Sequence, residues 1–144
     1  MNSFRLVTVP DPAAGANFTY TQPVNLMSKI RDCRFLFTAA AAAANRYATT
    51  LARTGGLLSG LSRSAQMVTA GQAFTFVFLD PYSQAEVTLI IGGANFVVLQ
   101  CSSVWLIPGM TFGSELQGIQ AADQISDIRL LVEDLNLVAP GVVG

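Results

Sequence analysis

Histidine is absent from the 144 residues. That removes the commonest general base and the commonest metal ligand. A Ser–His–Asp or Cys–His arrangement cannot be assembled within one chain. Only two cysteines are present, Cys33 and Cys101, too far apart in sequence for a zinc-binding spacing. Both lie in apolar, strand-like segments. The expectation is two buried free thiols in a reducing compartment, with a single disulfide as the other option. No catalytic, cofactor-binding or metal-ligating residue is assigned, and the chain reads as a non-enzyme.

Charge is also scarce. Charged residues make up 12% of the chain against 51% hydrophobic, with a net charge of −1. An average soluble domain carries about 25% charged residues. The surface must therefore be built from Ala, Gly, Ser, Thr, Gln and apolar side chains, a composition suited to being covered by a partner. This points to a homo-oligomer or assembly subunit. The basic residues are scattered. The one close group, Lys29, Arg31 and Arg34, has Asp32 inside it, so there is no basic stripe and no nucleic-acid partner is expected. No apolar run is long enough to span a bilayer. Met1 to Pro10 carries one charge and no long apolar stretch, so it does not read as a signal peptide.

What is present is a series of short β-type runs between turn signals. They are Phe4–Val9, Asp32–Thr38, Ala73–Phe78, Glu86–Ile91, Phe96–Cys101, Val104–Ile107, Met110–Phe112 and Ile125–Val132. Regular spacing with Gly and Pro punctuation predicts an all-β antiparallel sandwich or barrel in a single domain, 1–144. The alanine run Ala39–Ala44 has the best helix propensity, but a short isolated helix is marginal. It is read as a loop or single helical turn leading into a strand over Asn45–Arg53. Thr54–Ser64, rich in Gly, Leu and Ser, reads as a long, partly apolar connection. Residues 1–12 are either an extended N-terminal arm that adds a strand to a neighbour or an ordinary first strand. Residues 136–144, uncharged, form a C-terminal tail that either docks on a neighbour or frays.

Little chemistry remains. Asp123 with Asp127, and Glu133 with Asp134, are the closest carboxylate pairs. Adjacent strand residues face opposite ways, so the second pair should not converge. Asp123, before a strand, reads as a turn cap more readily than as half of a glycosidase pair. A calcium site of loop oxygens has no motif behind it. Gly55-Gly56 and Gly92-Gly93 fit no phosphate-loop pattern and read as tight turns needing positive φ. The lone tryptophan, Trp105, is either a sugar-stacking platform or, in view of Leu106, Ile107 and Pro108, a packing residue.

Several segments together carry a family resemblance. They are Phe37-Thr38, Asn45-Arg46, Ala65-Gln66, Val104 to Gly109, Leu116 to Gln124 with its Gln-Ala-Ala-Asp-Gln, and Ile128 to Asp134 with its Arg-Leu-Leu-Val-Glu. From about Arg34 to Leu135 the chain resembles a group of small structural proteins of tailed bacteriophages. The C-terminal part is the most specific, and the alanine run and Thr54–Ser64 lie outside the match. The resemblance implies a jelly-roll-like sandwich on the virion. Its most familiar role is capsid cement or decoration on the exterior, often as trimers bridging the major capsid protein. Neck, collar or tail attachment is the nearest alternative, and a carbohydrate-binding sandwich a more distant one.

Overall fold

The computed structural model describes residues 2–135, which form eleven strands and no helix. In chain order these are β1 Ser3–Val9, β2 Thr19–Thr21, β3 Ser28–Thr38, β4 Arg46–Thr54, β5 Leu57–Val68, β6 Ala73–Leu79, β7 Val87–Ile91, β8 Ala94–Gln100, β9 Trp105–Leu106, β10 Thr111–Ser114 and β11 Gln124–Asp134. One sheet has the order β1-β11-β3-β6-β8-β7, with β9 also paired to β3. The other has the order β2-β10-β4-β5.

The alternation of the long strands explains why two sheets form. Ile30, Cys33, Phe35 and Phe37 of β3 and Phe74, Phe76 and Phe78 of β6 point inward and are buried. They meet Phe18, Ala48, Ala52 and Phe112 from the second sheet and its approach. The Phe18 and Phe35 rings pack edge to face, with centroids 5.5 Å apart. The small Ala48 and Ala52 of β4 share the core with the large Phe side chains of β3 and β6. Val77 is buried but lies outside this core cluster. It sits on the outer face of the first sheet, paired with Arg34 and Val98.

Both Gly-Gly pairs are two-residue hairpin turns. Gly55 and Gly56 have φ of 56° and 86°, and Gly92 and Gly93 have φ of 59° and 82°. They connect Thr54 to Leu57 and Ile91 to Ala94, which are paired across the turns. Positive φ at both central positions is the type I′ geometry that matches strand twist.

Three expectations need correction. Thr54–Ser64 is not a long loop. After the Gly55-Gly56 turn the chain runs straight into the twelve-residue β5, paired to β4 from Leu57 to Val68. Its Ser, Gly, Leu and Ala residues have weak strand propensity, and the turn geometry and the ladder override it. The sandwich is not purely antiparallel, because β6 and β8 are parallel. The Gly92-Gly93 turn makes β7 and β8 antiparallel neighbours, and β8 enters between β6 and β7 running the same way as β6. The N-terminal segment is not an extended arm. Residues 3–9 pair with the chain's own β11, from Ser3 opposite Asp134 to Val9 opposite Ile128. The short β2 had no sequence signal beyond Thr-Tyr-Thr. The predicted tail, 136–144, lies outside the described residues.

The alanine run is a loop, and Arg46 explains why. The Arg46 side chain is fully buried. Its Nη1 donates to the Ala44 carbonyl at 2.9 Å and its Nη2 to the Ala42 carbonyl at 2.9 Å. These bonds hold the Ala42 and Ala44 carbonyls in the loop geometry. Nε and Nη2 also donate to the two Asp123 oxygens at 2.8 and 3.0 Å. The backbone amides of Ala40 and Gln120 complete the carboxylate's shell, each at 2.8 Å. One buried ion pair thus ties the Ala39–Asn45 loop to the Glu115–Asp123 loop.

Candidate interaction surfaces

The four carboxylates singled out from sequence do not converge. Asp123 is buried and held by Arg46. Burial opposes its charge, but the hydrogen bonds from Arg46, Ala40 and Gln120 outweigh it and hold the carboxyl below its usual range. Asp127 is exposed, with φ of 56° at a bulge in the β11–β3 ladder, and pairs with Arg129 at 3.3 Å. Glu133 accepts from Asn2 at 2.7 Å and from Arg31 at 2.6 Å, which lowers its pKa. Asp134 binds Arg5 on its other side, and Ser28 donates to it as well, which lowers its pKa too. Among the described residues, no group of three His, Cys, Asp or Glu side chains converges.

The two cysteines are free and buried. Burial pushes the Cys101 thiol up to about 12 and Cys33 well above the ordinary value. Neither is a thiolate nucleophile at neutral pH. Trp105 is half-buried in β9, paired with Lys29, whose ammonium lies 5.8 Å from the ring centroid. That ring face already carries a cation.

The features that stand out are apolar and at the surface. The β4–β5 hairpin exposes Leu57 (75%), Leu58 and Leu61. Beside it, Thr49, Leu51, Arg53, Leu58, Leu61 and Arg63 line an open groove of about 620 Å³, closed on one side by Glu115–Gly118. Its lining mixes Leu51, Leu58 and Leu61 with the charged Arg53, Arg63 and Glu115. Arg53 pairs with Glu115 at 2.8 Å, and the Arg63 guanidinium stacks 4.8 Å over the Tyr47 ring. The second apolar feature is β7, where Leu89, Ile90 and Ile91 are all exposed, Ile90 by 76%. The third is β1, exposing Phe4 and Leu6. These exposed leucines and isoleucines are grouped on β5, β7 and β1. The Glu86–Ile91 run is legible as a strand, but only the topology puts it at a sheet edge.

No protein-family model, no curated protein and no solved structure matches this chain.

Proposed function

We propose that this chain is a structural protein of a tailed-phage virion. Within that class we favour a cement or decoration protein on the capsid exterior, bridging copies of the major capsid protein as a homo-oligomer, with a trimer preferred. Neck, collar or tail attachment is the alternative place on the same particle. The observation that carries the reading is the open groove beside the β4–β5 hairpin, with Leu58 and Leu61 exposed at it, in a chain with 12% charged residues. Such a surface binds other protein surfaces, and it needs no reactive group to do so.

The strand pairing supports the jelly-roll form of the fold. Setting aside β7–β9, eight strands remain. They pair first to last as nested hairpins: β1 with β11, β2 with β10, β3 with β6, and β4 with β5. Rolling nested hairpins into two facing sheets is the jelly-roll plan, which recurs in viral capsid proteins. β7–β9 are then an insertion between its sixth and seventh strands. Fold alone does not assign function, so the surface and the resemblance of the C-terminal segments carry the rest.

The test is co-sedimentation with purified capsids of the phage this chain is proposed to belong to. Saturable binding is expected. It should weaken at least tenfold in a Leu58→Ser, Leu61→Ser double variant. A chain that never associates with particles would exclude the reading.

A further inference from the structure

We propose that β7 is a self-pairing edge, through which two copies of this chain join their larger sheets about a twofold axis. Besides the two-residue β9, the sheets end at β1, β7, β2 and β5. Edges left open invite strand addition, and proteins block them with charge, short length or covering groups. β2 has three residues. The edge of β5 is covered: Ser102 Oγ accepts from the Leu61 amide and donates to the Leu61 carbonyl, and the Glu86 carboxylate accepts from the Ala65 amide. β1 carries Arg5. β7, Val87-Thr-Leu-Ile-Ile91, has no charge and no proline, and it exposes apolar side chains on both faces.

The register of a symmetric pair follows from backbone geometry. Ile91 and Ala94 flank a two-residue turn, so they form a hydrogen-bonded pair. Alternation along an antiparallel ladder then makes Leu89 and Val87 the next bonded positions toward β8. The amides and carbonyls of Thr88 and Ile90 therefore point to the free edge. A second β7, antiparallel to the first, places Thr88 opposite Ile90 of the other copy, twice. Leu89 then falls on the twofold axis, opposite its own copy in a non-hydrogen-bonded pair. Val87 meets Ile91. Every opposed pair is neutral, so no like charges meet, which is the usual obstacle to a self-complementary edge. The same pairing at β1 would bring two Arg5 residues to one edge.

Three exposed side chains and one short strand fall well below the roughly 20–30 residues a side of a standard interface. The pair is accordingly a concentration-dependent dimer, not an obligate one. It uses neither Leu58 nor Leu61, so it leaves the β4–β5 groove open for a different protein.

Sedimentation equilibrium on the whole chain across a wide concentration range tests the proposal together with cysteine cross-linking. The wild type should show reversible dimerisation. Ile90→Pro removes an edge amide that β8 does not use, so the fold should survive, as the circular dichroism spectrum and melting curve would verify, while dimerisation weakens at least tenfold. Leu89→Cys should form a disulfide-linked dimer on mild oxidation, because non-hydrogen-bonded antiparallel pairs lie within disulfide reach. Leu6→Cys, at the opposite edge, should not. A chain that stays monomeric at every concentration overturns the proposal. So does a dimer unaffected by Ile90→Pro, or cross-linking through Leu6→Cys instead of Leu89→Cys. Capsid binding that persists in Ile90→Pro leaves the virion reading intact whichever way the dimer result falls.

Discussion

At the scale of single residues, the Arg46–Asp123 pair bears most on the folded state. Both side chains are fully buried, and removing one partner would strand the other charge away from water. Asp123→Asn should destabilise the chain by about 3–5 kcal/mol, read from the midpoint of chemical unfolding. The same residues set the acid response. The carboxyls of Asp123, Glu133 and Asp134 are all held below their usual range by hydrogen bonds from Arg46, Asn2, Arg31 and Arg5. A carboxyl with a depressed folded-state pKa stabilises the fold above its unfolded pKa of about 4, and that contribution is lost as pH falls through the lower folded value. Asp32, raised by burial, works in the opposite direction. With three groups against one, the melting temperature should be flat from neutral pH to about pH 5 and fall steeply below pH 4. A melting temperature that rises below pH 4 would contradict this. Very little of the pair was legible in sequence. Arg46 looked like one of several scattered cations and Asp123 like a turn cap, because nothing local marks two residues 77 positions apart as partners.

At the scale of elements, hairpin turns were the most readable feature and edge strands the least. The two Gly-Gly pairs announced positive φ, and both adopt it. Type I′ geometry accepts Asn at its first central position and prefers Gly at its second. Gly55→Asn should therefore be near neutral, while Gly56→Val should cost about 1–2 kcal/mol, measured by thermal unfolding. Equal effects would argue against the turn type. The Phe-rich strands β3 and β6 were legible because alternation and aromatics coincide. Phe76→Ala, at the centre of that row, should cost about 3–5 kcal/mol. β5 was not legible. Its residues show no clean alternation of buried and polar side chains, since most of the strand faces solvent at an edge. Its identity comes from β4 and the turn that delivers it. The parallel β6–β8 pair was also hidden, because strand order is a property of the sheet rather than of any segment.

At the scale of the whole molecule, the account rests on where the uncovered apolar surface lies. Histidine is absent from the sequence, and among the described residues Asp123, Asp127, Glu133 and Asp134 do not converge. The exposed apolar side chains divide between Leu57, Leu58 and Leu61 beside the groove on the smaller sheet and Leu89, Ile90 and Ile91 of β7 at the far edge of the larger one. We propose the first for a foreign protein surface and the second for another copy. The most direct test is a cryo-EM reconstruction of the virion this chain is proposed to join. The proposed role predicts ordered density on the capsid exterior that fits this two-sheet fold, with Leu58 and Leu61 covered by a capsid subunit. A particle without this density, or with the fold bound so that the groove faces solvent, would contradict it.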